Sequence, residues 1–211
     1  MNRSADLSAP PRRRGLLVSA VLVILLAGAA YALRRMLLMA APRCLAGHWH
    51  GCYDTGNGIV FMLLAGVPVA ALLVAALALA RRGAWRRSVA EVGLVYGTVP
   101  LVWLTLMPGP GAGVVPGRLS LIPLLDLVTM GPLGIGGNLV ILAPLGFFAP
   151  MRFAALASVP RIFALGAGCS VLIETAQYVF QLDRVSSVDD VLVNATGAAL
   201  AALASRRWWR A

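Results

Sequence analysis

Residues 161–205 run RIFALGAGCSVLIETAQYVFQLDRVSSVDDVLVNATGAALAALAS. Two apolar stretches flank a short polar turn, and each carries polar residues at helical spacing. On the first, Gly166, Ser170, Glu174, Gln177 and Gln181 are four, four, three and four residues apart, which is one face of a helix. On the second, Asp190, Asn194 and Gly197 continue the pattern. Ionisable and amide groups are costly at membrane depth, so they turn to a bundle interior or a wet cavity and often carry function. The turn 182–187 is short, which makes the two helices antiparallel neighbours. Glu174 lies seven residues before Gln181, roughly 10 Å along the helix at 1.5 Å per residue. That depth places it in the outer leaflet.

The rest of the chain agrees with a membrane location. It is 60% hydrophobic and 12% charged, with a mean hydropathy of +0.84, outside the range of an ordinary soluble domain. The net charge of +10 does not mark a nucleic-acid surface, because the arginines stand in short blocks at the ends of apolar runs. All 18 basic residues are Arg, which fits a GC-rich, bacterial coding sequence.

The predicted fold class is all-α, a polytopic transmembrane bundle of about six spans near 16–33, 59–80, 89–107, 138–150 with part of the preceding glycine run, 161–181 and 188–205. Pro144 and Gly146 predict a kink in the fourth. The piece 119–130, broken by Pro123 and Asp126, is expected to be interfacial or re-entrant. Residues 1–15 are expected to be a disordered cytoplasmic tail. Residues 16–88 form an N-terminal helical hairpin, and 89–211 the main membrane domain. Arg12–Arg14 and Ala30-Tyr31-Ala32 resemble a signal peptide, but the long apolar run and Arg34-Arg35 favour an uncleaved anchor. In the last span Gly197 and Ala201, then Ala198 and Ala202, are small residues four apart that allow close helix approach, although alanine is abundant throughout.

Seven residues form the candidate polar pocket: Asn138, Glu174, Gln177, Arg184, Asp189, Asp190 and Asn194. Ser187 and Asp190 also have the spacing of a capping box, which is a structural role for Asp190. That spacing does not account for Asp189. Asn194 can equally be interhelical glue. Arg184, in the turn above, is placed to neutralise the carboxylates.

The outer loop 34–58 contains Cys44, His48, His50 and Cys52. A disulfide between Cys44 and Cys52 suits an oxidising exterior. Zinc is the weaker alternative, because the spacing is not a standard one, and a third possibility is that the four residues form neither. Cys169 reads as a small buried hydrophobe. No phosphate loop, His-Glu-x-x-His or Gly-x-Ser-x-Gly is present, and no cofactor is expected.

Asn138 with Pro144 and Gly146, then Glu174 and Gln177, Arg184, Asp189-Asp190, and Asn194 with Gly197 form an ordered set that resembles the VanZ-like family over roughly residues 90–205. Ser120 and Leu124 depart from the family's preceding Asn-x-x-Pro-Phe segment around Pro123. The resemblance implies a multi-pass cell-membrane protein linked to glycopeptide resistance, especially to the lipid-tailed teicoplanin, and says little of mechanism. Two functions follow. One is non-catalytic binding or modulation of an amphiphilic cell-envelope component at the outer leaflet, with membrane lipids as partners. The other is an enzyme acting on a lipid-linked envelope substrate through Glu174 and Asp189 or Asp190, with hard oxygens suited to a divalent cation. A proton-coupled transporter is weaker, because no inverted repeat is evident.

With the N-terminus inside, inside segments hold 13 arginines and outside segments 5. Reporter fusions after Met107 and at Ala211 are therefore expected to signal outside and inside respectively. Opposite signals at either point would overturn a topology with both ends cytoplasmic.

Overall fold

The computed structural model describes residues 59–209, with side chains from residue 66 onward, and seven earlier helical positions: Ala20, Val23, Ile24, Ala27, Gly28, Tyr31 and Arg34. The expected tail 1–15 and the loop with Cys44 and Cys52 lie outside the described residues. So does the expected first span 16–33, apart from six of those positions.

The order of elements is α1 (Ile59–Ala80), α2 (Trp85–Thr105), β1 (Arg118–Ser120), α3 (Leu125–Thr129), α4 (Pro132–Ile141), α5 (Ala143–Arg152), α6 (Val159–Val179), β2 (Val185–Ser187) and α7 (Val188–Ser205). Short 3₁₀ turns follow α5 and α7. Among the described residues, four stretches are long and apolar enough to cross a membrane: Trp85–Thr105, Pro132–Arg152, Val159–Val179 and Val188–Trp208. A shorter apolar helix, Gly66–Ala80, precedes them.

The helix ends have local causes. After α1, Arg82 takes a left-handed conformation (φ 55°), its N–H reaches Leu79 O and the Gly83 N–H reaches Ala78 O. That is a Schellman cap. The same cap closes α6, with Gln181 left-handed (φ 54°) and the N–H groups of Gln181 and Leu182 on the carbonyls of Tyr178 and Gln177. Gln181 is therefore outside the helix, and the fifth expected span ends two residues early, at Val179. The fourth begins earlier than expected, at Pro132, and is two helices that part at Leu142. Pro144 sits in the first turn of the second, where its missing N–H costs nothing.

The expected interfacial piece is a short strand, a turn and the helix α3. Its strand, with β2, makes a two-stranded departure from an all-α fold among the described residues. β1 pairs in parallel with β2, in the register Arg118 to Val185, Leu119 to Ser186 and Ser120 to Ser187.

The last helix, α7, is central and packs on α4, α5 and α6. Ala198 and Ala202 are fully buried and join Leu142, Ala149, Ile162 and Ile173 in the core. Two glycines allow backbone to meet backbone. A Cβ at Gly146 would lie 2.0 Å from Ala198 O, and one at Gly197 would lie 2.0 Å from Leu139 O.

The two ends of the bundle differ in charge. One gathers Arg81, Arg82, Arg86, Arg87, Arg152, Arg161, Arg206 and Arg207. There Glu91 pairs with Arg81, with Arg87 at 3.1 Å and with Arg152 at 2.7 Å, and Arg86 donates to Trp208 O. The other end holds Arg118 and Arg184, with Arg34 donating to Gln181 Oε1 at 2.9 Å.

A helical Gly→Ala change in open space gains up to about 1 kcal/mol from propensity. Gly146→Ala and Gly197→Ala are expected to reverse that sign, losing about 1–3 kcal/mol to overpacking. Gly168, where an added Cβ meets nothing within 4 Å, is the control. Thermal midpoints of the three variants in detergent are the measurement. Equal midpoints for all three would refute the close approach.

Candidate functional site

At the arginine-poor end, helices α2, α4, α6 and α7 surround a cavity of about 880 Å³. Six of the seven sequence-selected residues line it: Asn138, Glu174, Gln177, Arg184, Asp190 and Asn194. Apolar side chains complete the wall, among them Leu101, Leu104, Leu133, Val140, Ile141 and Ile173, and Gly136 and Gly137 leave it open on α4. Glu174 also borders a smaller, apolar cavity of about 320 Å³ with Leu119, Leu121 and Tyr178.

Each side chain is held by a specific partner. Helix α2 ends with carbonyls that have no intrahelical donor. Gln177 Nε2 donates to Thr105 O at 2.9 Å, and Arg184 Nη2 donates to Met107 O at 3.3 Å. A cation at a helix C-terminus is also favoured by the dipole. Asn194 Nδ2 donates to Ser170 Oγ at 2.8 Å, joining the two polar stripes across the α6–α7 interface. Asn138 Nδ2 donates to Asp190 Oδ1, and also faces Met130 Sδ at 3.6 Å. Glu174, only 9% exposed, accepts the Ser187 N–H at 3.0 Å, while Ser186 Oγ donates to Glu174 O.

Three expectations are corrected by these contacts. The capping box does not form. Ser187 Oγ does cap α7, accepting from Asp189 N at 3.1 Å, but the Ser187 N–H goes to Glu174 and Asp190 turns to Asn138. Arg184 acts on Glu174 and Asp190 by its charge from a distance but makes no direct ion pair with them; the ion pairs among the described residues are those of Glu91 and the Arg118–Asp183 pair at 3.3 Å. Asp189 does not line the cavity. It is 1% exposed, and its carboxylate accepts from the backbone N–H groups of Leu124 (2.6 Å), Asp126 (2.9 Å) and Leu127 (3.0 Å). It thereby caps α3 across the chain, with Leu124 in a left-handed conformation (φ 68°) to present its N–H.

Asp126 completes this clamp. Hydrogen bonds from Ser120 and Ser187 hold its carboxyl below the usual aspartate range, and the Ser187 bond is 2.6 Å long. Beside it, the 109–113 loop is stitched to the α6–α7 turn. Gly109 N donates to Leu182 O, Gly113 N to Gln181 O, and Gly111 N to Asp183 Oδ2. Asp126, Ser187 and the carbonyls of Thr105 and Met107 were not singled out as site residues in the sequence. Ser187 is visible in the sequence as an N-cap, and Asp126 as an acid that breaks an apolar piece.

Two of the three buried polar side-chain atoms without a partner among the described residues belong to cavity-lining residues, namely Arg184 Nε and Asn194 Oδ1. No three His, Cys, Asp or Glu side chains converge as a metal-binding group among the described residues. Cys169 is a free thiol packed against the core.

Neither a curated protein nor a solved structure matches the chain. The sequence profile of the VanZ/LLP1 family matches residues 69–209, which takes in every cavity-lining residue and the Asp189 clamp. With four helices able to cross a membrane and a profile match over most of its length, the chain is a membrane protein of the VanZ/LLP1 family.

Proposed function

We propose that this protein binds an amphiphilic component of the bacterial cell envelope, seating its polar head in the cavity at the arginine-poor end of the bundle. The observation that carries this reading is one cavity in which buried Glu174, Gln177 and Asn194 stand beside leucine, isoleucine and valine side chains. A polar head and an apolar tail need that combination, and ligand sites between helices of bundles have this makeup. The arginine-rich end is cytoplasmic by the bias of short loops, so the cavity opens toward the outer leaflet. A lipid-tailed glycopeptide belongs to the same chemical class, which is how the reading meets the family's link to resistance.

A second reading has one observation in its favour. Glu174 and Asp190 line the same cavity, so an acid and a base could both reach a lipid-linked substrate. Asp189 has no part in it, because its carboxylate is committed to three backbone amides.

Mass spectrometry of lipids retained by the chain in mild detergent separates the two. Binding predicts one defined amphiphile carried by the wild type, lost from Gly137→Leu and kept by Glu174→Gln. An altered lipid that accumulates with the wild type and is absent from Glu174→Gln would mark an enzyme instead.

A further inference from the structure

The arginine-rich end of the bundle has a groove of its own, of about 940 Å³, between the first turn of α6 and the end of α7. Arg206 and Arg207, both exposed, line it from the 3₁₀ turn that follows α7. Leu203 and Ala204 line it from the last turn of α7 and are exposed too. Trp209 adds a wall, its ring held by Nε1 donating to Ser205 Oγ at 2.9 Å.

Charge selects what can enter. No carboxylate side chain lines the groove. Among the described residues Glu91 is the one acid at this end, and Arg81, Arg87 and Arg152 already pair with it. Arg206 and Arg207 enter none of the ion pairs among the described residues. Arg207 stacks over the Trp208 ring at 4.1 Å. Stacking uses the face of a guanidinium and leaves its in-plane N–H groups for an acceptor. A cationic head group is repelled here. A phosphate oxyanion matches the fork of each guanidinium and supplies the charge that the groove lacks.

A small free anion would leave the other side of the groove unused. Leu203, 48% exposed, and Ala204 belong to Val188–Trp208, a stretch able to cross a membrane, so their outward faces meet acyl chains. They precede the two arginines by about one helical turn. Anion-binding groups and a hydrocarbon-facing wall therefore share one groove. Basic pockets between membrane helices take anionic lipid head groups by this combination.

We infer that this groove holds an anionic phospholipid, with Arg206 and Arg207 on its phosphate and an acyl chain along Leu203 and Ala204. The site is separate from the cavity of the proposed function, at the opposite end of the bundle, and does not rest on that reading.

The test titrates the full chain in mild detergent with phosphatidylglycerol or phosphatidylethanolamine of identical acyl chains, and reads bound lipid by native mass spectrometry. Phosphatidylglycerol is expected to bind at least about tenfold more tightly. Arg206→Gln is expected to weaken it about fivefold, and Arg207→Gln, which also gives up the Trp208 stack, by at least as much. Arg82→Gln removes a charge at the same end but outside the groove, and is expected to cost less than about twofold. Equal affinity for the two lipids overturns the site. So do equal losses from Arg206→Gln and Arg82→Gln, which would mark diffuse surface charge. Displacement of phosphatidylglycerol by inorganic phosphate at matched ionic strength overturns the lipid as occupant in favour of a free anion. Gly137→Leu, in the other cavity, is expected to leave phosphatidylglycerol binding unchanged. Its loss in that variant would place the lipid there and overturn the groove.

Discussion

The cavity depends on one buried carboxylate that never touches it. Asp189, at the start of α7, collects three backbone N–H groups from residues 124, 126 and 127. Irregular backbone at the edge of a membrane is tolerated only where its polar groups are satisfied within the protein or by a watery cavity. The segment between β1 and α4 is too short and too broken to satisfy its own amides. Asp189 does so from outside, and Asp126 returns the favour through Ser187 Oγ. The segment is thereby fixed to α7, and Met130, Leu133 and Asn138 beyond it are brought to the cavity wall.

The second constraint is proximity. Gly146 and Gly197 let α4, α5 and α7 touch at the backbone, so the α4–α5 wall stands close to the α6–α7 pair. The break at Leu142 then leaves α4 leading back along the cavity toward Asn138. A straight helix from 132 to 152 would have no such freedom at Pro144, whose ring clashes with a preceding turn in a helix interior.

The polar lining was legible in the sequence because an amide or acid in an apolar run has few affordable surroundings. Glu174, Gln177 and Asn194 announce themselves by being out of place, and helical spacing then puts them on one face. Asp190 lines the cavity, but the reason is not local: the Ser187 spacing points to a cap, while the partner it meets, Asn138, lies 52 residues away. Asp189 was misplaced for a related reason. Its partners are backbone amides, which every residue possesses, so no side-chain pattern at 124–127 points to them. The last carbonyls of α2 are invisible in the same way. The parallel β pair could not be seen either, since three residues on each side are too few to show alternation.

The clamp also orders events in time. Residues 124–127 leave the ribosome 62–65 residues before the carboxylate that will satisfy them. At roughly 5–20 residues per second, that is a delay of about 3–13 s. During it the segment's amides have only water or lipid head groups to bond, and no reason to enter hydrocarbon. The membrane domain therefore closes from its C-terminal end backward: α6 and α7 must be in place before the stretch that precedes α4 can settle, and a chain truncated ahead of residue 189 would carry its finished upstream helices with their connecting segment still adrift at the interface.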